Sequence, residues 1–130
     1  MIKRRKPIKR KSPRQRLAEE VDSLLKEFIH ERDFWACVRC HNGPPQVVIQ
    51  SAHIKSKGHY GRLRFEPLNL LTLCIGCHIF FAHKEPGDFM LWLEEKYPGR
   101  DQQLRIMAAT ARKPDLKELR IGWKLELGRS

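Results

Sequence analysis

The sequence predicts a small α+β domain, and three observations support that fold class. Apolar residues recur at helical spacing through residues 14–32 and in shorter stretches towards the C-terminus. A β-branched, partly alternating stretch at 46–54 predicts a strand. Two pairs of cysteines, each pair with two residues between its members, flank that strand. A chain of 130 residues fits one domain with a modest core, which is a size that often needs an additional brace.

The net charge of +11 is concentrated at the N-terminus. Residues 3–16 carry nine Lys and Arg and no acid, whereas the rest of the chain is nearly balanced. "KRRKPIKRKSPR" is too polar and proline-broken to bury a face, so residues 1–13 are predicted to be a disordered basic arm and residues 14–130 one domain. Such a high density of basic residues is typical of an arm that contacts a polyanion, although the segment could serve only as a solubilising tail.

The composition also suggests a compartment. No apolar run approaches the roughly 20 residues that span a bilayer, and the basic N-terminus lacks the apolar stretch of a signal peptide. We therefore expect a soluble, cytoplasmic protein. In a reducing compartment four cysteines are more typical of metal ligands or catalytic thiols than of disulfides.

The elements are predicted in the following order. Ser12 as N-cap and Pro13 as first residue begin a helix that extends to about Arg32. A cysteine-containing turn leads to the strand at 46–54, which ends near His53, and a basic glycine-containing loop follows at 55–65. Residues 69–73 can form a second strand or the turn into the next helix. Further helices are predicted at 75–83, 88–97 and 101–112, and the stretch 114–127 is helical at its start and unresolved after Gly122.

The cysteine spacing predicts a structural zinc site. Cys37-x2-Cys40 and Cys74-x2-Cys77 are two knuckles, and a two-residue gap lets both sulfurs of a knuckle reach one ion. Four thiolates leave no open position for a substrate, so such a zinc would be structural. A thioredoxin-like redox pair is disfavoured because no βαβ pattern surrounds either motif.

Three histidines and an asparagine remain for a second polar cluster. His53 ends the first strand, Asn69 precedes the second, and His78 and His83 follow the second knuckle. If residues 75–83 are α-helical, His78 and His83 lie on neighbouring faces rather than stacked, since they are five residues apart. They could share a second ion if the helix ends between them.

"CVRC", "SAHIKSKG" and "RFEPLNLLTLCIGCHIFFAH" together resemble the HNH endonuclease family. "AHIKSKGHYGRLRFEPLN" is similar to the phage recombination nucleases of the NinG (Rap-like) type. The resemblance covers roughly residues 30–95 and implies a ββα-metal (His-Me finger) core, a β-hairpin and helix that hold one catalytic divalent ion. It also implies that the four cysteines bind a bracing zinc.

The resemblance implies a role for each residue of the second cluster. His53 would be the general base, Asn69 would orient its ring, and His78 would bind the catalytic ion, which could be Mg²⁺, Mn²⁺, Ni²⁺ or Zn²⁺. His83 would be a further ligand. The chain departs from the family at Ala52, where many members have a metal ligand, and at Ala82, where many have the second helix ligand. An alternative is therefore that His53 ligates the ion and His59 or a water is the base.

The loop between His53 and Asn69 carries four cations, Lys55, Lys57, Arg62 and Arg64, and no acid before Glu66. In a nuclease such residues would contact the DNA backbone without reading sequence. The expected function is metal-dependent cleavage of DNA, in phage recombination or packaging. The alternatives are a non-catalytic zinc module that binds nucleic acid and an accessory of a larger phage complex.

Overall fold

The computed structural model of the chain describes residues 3–129, and these form a mixed helical and β structure, as the sequence predicts. A two-stranded antiparallel hairpin follows a long N-terminal helix and precedes four further helical segments. In chain order the elements are α1 (Pro13–Arg32), β1 (Ile49–His53), β2 (Leu70–Cys74), a π-helix (Gly76–His83), α2 (Pro86–Lys96), α3 (Arg100–Thr110) and α4 (Leu116–Glu126). None of the helices in the described residues is long and apolar enough to cross a membrane.

Helix α1 begins where the sequence predicts. The Ser12 hydroxyl accepts a hydrogen bond from the backbone N–H of Gln15 at 3.2 Å, and the Gln15 side chain accepts one from the Ser12 N–H at 2.9 Å. This reciprocal capping box satisfies two N–H groups that the helix cannot bond internally, and Pro13 occupies the first turn. Residues 3–12 are exposed and contain no helix or strand. Residues 1, 2 and 130 of the predicted arm and domain lie outside the described residues.

The hairpin lies between two layers of helix. Alternate side chains of a strand point to opposite faces, so each face of the hairpin has its own apolar core. One face packs against α2 and the cysteine cluster, with a core that includes Ala52, Leu71, Leu73, Phe89 and Leu93. The other packs against α1 and α4, with a core that includes Val21, Leu25, Ile29, Leu70 and Leu116. Successive residues of strand β1 therefore point alternately towards the core under α2 and the core under α1 and α4.

The register of the hairpin places the predicted site residues at its ends. Ile49 is paired with Cys74, and His53 is paired with Leu70. Strand β1 is shorter than the predicted 46–54, because the N–H groups of Gln46 and Val47 both bond to the carbonyl of Gly43 in the preceding turn. Residues 70–74 form a strand and not a turn, which settles the choice that the sequence left open.

Helix α4 continues through Gly122, the point at which the sequence becomes ambiguous. A glycine inside a helix costs about 1 kcal/mol relative to alanine, so tertiary contacts must offset it. The Trp123 ring packs on Phe28 of α1 with ring centroids 4.8 Å apart. Glu20 of α1 also forms ion pairs with Arg120 and Lys124. Packing against α1 therefore explains why the helix continues.

Candidate functional site

The four cysteines form a cluster whose geometry fits a tetrahedral metal ion. Their Sγ atoms all lie within 4.8 Å of one another, and those of Cys40 and Cys74 are 3.6 Å apart. Four sulfurs at about 2.3 Å from one zinc ion would be separated by roughly 3.8 Å, so the observed spacing suits four-thiolate coordination. Cys37, Cys74 and Cys77 are buried, and Cys40 lies at the surface. The cluster could therefore hold a metal ion.

The two knuckles have the same local hydrogen bonding. The N–H of Cys40 donates to the Cys37 sulfur, and the N–H of Cys77 donates to the Cys74 sulfur, both at 3.4 Å. Burial alone would raise the pKa of Cys37, but the N–H groups that point at its sulfur outweigh burial and lower that pKa to about 7. Burial raises the pKa of Cys77 to about 12. Metal binding must therefore displace a proton from at least some of these thiols, so affinity should rise with pH.

Arg39 is a further residue of this centre, and the sequence analysis did not single it out. Its Nη1 lies 3.4 Å from the Cys77 sulfur, and its guanidinium carbon lies 3.5 Å from the centroid of the Phe81 ring. The positive charge would offset the negative charge of a four-thiolate metal site. Its position between Cys37 and Cys40 is the sequence feature that could have indicated this role.

His78 and His83 lie side by side, which corrects the expectation that they occupy neighbouring faces. Residues 76–83 form a π-helix and not an α-helix. A π-helix bonds residue i to residue i+5, and its wider turn brings side chains five positions apart towards the same face. The two imidazole centroids are 4.4 Å apart. The helix does not need to end between the two histidines to bring them together.

His78 is held by a residue of β1. Its Nδ1 lies 2.7 Å from the Gln50 Oε1. With the Gln50 amide in this orientation, Nδ1–H is the donor and Nε2 keeps its lone pair for a metal ion. Burial lowers the pKa of His78, and the charges of His83 and His53 lower it further. Gln50 was missed from sequence, although it lies two residues before Ala52 and so on the same face of β1.

His53 is fixed at the end of β1 by a backbone carbonyl. Its Nε2 lies 3.0 Å from the Arg64 oxygen. A carbonyl oxygen can only accept, so Nε2 carries the proton and Nδ1 keeps a lone pair. The loop thus sets a tautomer of His53 that has one free basic nitrogen. His59, the alternative base, is exposed on that loop.

Asn69 is buried and anchors the loop backbone; its amide does not bond the His53 ring directly. Its Oδ1 accepts from the Lys55 N–H at 2.7 Å, and its Nδ2 donates to the carbonyls of Lys55 and Leu63 at 3.0 and 3.1 Å. Both amide hydrogens are therefore used. Asn69 joins the start and the end of the loop whose Arg64 carbonyl holds His53, so its influence on that ring is indirect.

The four cations of the loop differ in what they contact. Lys55 forms an ion pair with Asp101 of α3, and Arg64 donates to both carboxylate oxygens of Asp22. Arg62 donates to the Ala111 carbonyl at 2.7 Å. Lys57 is exposed and has no ion pair within residues 3–129. Three of the four predicted DNA contacts thus already have intramolecular partners.

Comparison of the chain with protein-family models, curated proteins and solved structures finds no match. What the site can do therefore follows from its own two clusters. The first is a four-thiol cage that could hold a metal ion. The second is a pair of adjacent histidines on the π-helix, with His53 close enough to affect the pKa of His78.

Proposed function

We propose that this chain is a metal-dependent HNH-type endonuclease that hydrolyses DNA phosphodiester bonds. The observation that carries the proposal is the combination of His53, which keeps a free basic nitrogen, with the adjacent rings of His78 and His83. A metal-dependent phosphodiester hydrolase uses a general base and a site for a divalent ion, and these residues supply candidates for both.

The four-cysteine cluster would bind a structural zinc in this enzyme. It joins the turn before β1 to the start of the π-helix, so it would hold the hairpin and the helix in a fixed relationship. Because all four coordination positions would be thiolates, this ion would take no part in chemistry.

His53 would act on the attacking water. Its Nε2–H is bonded to the Arg64 carbonyl, so Nδ1 can take the proton, and an imidazole is suited to this step near neutral pH. The Arg64 carbonyl would then keep the protonated ring in place. Asn69 would position this carbonyl by holding the two ends of the loop together.

His78 and His83 would hold the second ion. Gln50 leaves the Nε2 of His78 free for this, and water or a phosphate oxygen would complete the coordination. A divalent ion there would polarise the scissile phosphate and stabilise charge on the leaving oxygen. DNA is the proposed substrate because the basic arm and the overall charge favour a polyanion.

A supercoiled-plasmid nicking assay tests the proposal. The zinc-loaded chain is assayed with Mg²⁺, Mn²⁺, Ni²⁺ and added Zn²⁺, and compared with His53→Ala, His78→Ala and His59→Ala. We expect metal-dependent nicking by the parent chain, its loss in the first two variants, and its retention in His59→Ala. Loss in His59→Ala with full activity in His53→Ala would assign the base to His59. No nicking by the parent chain with any ion would reject the nuclease.

A second candidate function is a non-catalytic module that binds nucleic acid, or an accessory of a larger phage complex. The observation that favours it is the small number of ligands for a second ion. Within residues 3–129, the cysteine cluster is the one group of three or more residues that could hold a metal. A chain that shifts DNA in a gel but never nicks it would select the module, and nicking that requires an added phage protein would select the accessory.

A further inference from the structure

A pocket beside His53 contains cations from two separate elements. It has a volume of about 250 Å³ and lies between α1 and the hairpin. Its polar lining consists of Asp22, Lys26, Ser51, His53 and Lys57. Lys26 comes from α1, and Lys57 comes from the basic loop. Two lysines, one hydroxyl and one imidazole therefore converge on one small space.

The two lysines are free to bind a ligand. Both are exposed, and neither forms an ion pair with any residue in the described part of the chain. The other loop cations differ, because Lys55 and Arg64 are already paired with carboxylates. The positive charge available next to His53 thus comes from Lys26 and Lys57.

The one acid of the pocket does not cancel this charge. Both carboxylate oxygens of Asp22 accept hydrogen bonds from the Arg64 guanidinium, at 3.2 and 2.5 Å. The pair Asp22–Arg64 is therefore neutral as a unit. What remains is a net positive pocket with donors from Lys26, Lys57 and Ser51, which suits a tetrahedral oxyanion.

We infer that this pocket binds a backbone phosphate of DNA, with Lys26 of α1 and Lys57 of the loop as its cationic contacts. The inference rests on the proposed function, since it takes the ligand to be a nucleic acid. The phosphate lies next to His53, and the duplex therefore crosses α1 as well as the loop. Lys26 is then a substrate-binding residue, and its contact carries no sequence preference.

Affinity for a 14-base-pair duplex, measured by fluorescence anisotropy at several salt concentrations, tests the inference. The variants are Lys26→Gln, Lys57→Gln and, as a matched loss of one charge, Lys96→Gln on α2, which packs on the opposite face of the hairpin. We expect the first two to weaken binding by about threefold to tenfold and to reduce the salt slope by about 1, and the control to change neither appreciably. A Lys26→Gln variant that binds like Lys96→Gln would overturn the inference.

The same variants in the nicking assay separate this inference from the proposed function. Weaker binding in Lys26→Gln, together with a parent chain that never nicks, would keep the phosphate pocket and reject the nuclease. Normal nicking and normal binding in Lys26→Gln would keep the nuclease and reject the pocket. A parent chain that binds no DNA at 50 mM salt would reject both. Lys26 and Lys57 are exposed, so folding should survive the substitutions, and melting curves check this.

Discussion

The imidazole rings of His78 and His83 lie with centroids 4.4 Å apart and with an angle of 70° between their planes, although the residues are five positions apart in the sequence. An α-helix would turn these side chains to different faces, and only the wider π-helical turn brings them together. π-helical turns are rare and frequently occur at functional sites, since they realign side chains relative to the rest of the structure. The pairing is thus a property of the backbone conformation as much as of the residues.

Removing the second histidine tests whether the paired rings act together. The rings of His78 and His83 lie close enough to bind one ion, so we expect His83→Ala to weaken Ni²⁺ binding. Isothermal titration of the zinc-loaded chain measures the affinity, and His59→Ala, which removes an exposed histidine, is the matched control. Equal affinity of His83→Ala and the parent chain would show that the two rings do not share an ion.

Removing one thiol tests the proposed structural metal. Cys77→Ser takes one of four ligands from the cluster, and a small domain of this type gains much of its folding free energy from such an ion. We expect the zinc content to fall below one per chain and the melting temperature to drop by about 10 °C or more. Atomic absorption and thermal unfolding measure the two effects. Excess chelator should lower the parent chain to the same melting temperature and leave the variant unchanged, whereas an unaffected parent would rule out the metal.

The buried amide of Asn69 should stabilise the loop. In Asn69→Ala the N–H of Lys55 and the carbonyls of Lys55 and Leu63 lose their partner, which should cost about 2–4 kcal/mol of unfolding free energy. Denaturant unfolding measures this cost. Hydrogen exchange of the Lys55 amide should accelerate at the same time. Asn69→Asp should be at least as destabilising, because it keeps an acceptor for Lys55 but places a buried carboxylate oxygen against the two carbonyls. Equal stability of the three chains would mean that the loop does not depend on Asn69.

His30 should make stability depend on pH. It is buried against Thr72, with its Nδ1 3.0 Å from the Thr72 hydroxyl, and burial followed by the charge of Lys26 lowers its pKa below 6.5. The unfolded chain therefore takes up this proton at a higher pH than the folded chain. The stability contributed by neutral His30 is complete above pH 6.5 and is lost as the pH falls from there towards the folded pKa.

The variant His30→Gln isolates this effect. The free energy of unfolding of the zinc-loaded parent should decline between pH 6.5 and 5.5 more steeply than that of the variant. The other histidines are present in both chains, so the difference between the two curves reports His30. Parallel curves would show that His30 is protonated in the folded state as readily as in the unfolded chain.

Features that depend on local spacing were predictable from the amino-acid sequence. The N-cap at Ser12, the paired cysteines and the β-branched stretch at 46–54 are each encoded within a few residues, so the α+β fold and the four-thiol cluster could be predicted. The prediction of a helix after the second knuckle was correct in position. Its type was wrong, because hydrophobic periodicity over eight residues does not separate an α-helix from a π-helix.

The partners of the site residues depend on the folded chain and could not be predicted from local patterns. Lys55 forms an ion pair with Asp101, and Arg64 forms one with Asp22. Gln50 is hydrogen-bonded to His78. Each pair is far apart in the sequence, and no local pattern predicts such contacts. These contacts leave Lys26 and Lys57 as the free cations next to His53, although the sequence alone pointed to four equivalent loop cations. The physical reason is that charge and spacing are properties of the chain, whereas the neutralisation of a charge depends on which distant carboxylate the fold brings within reach.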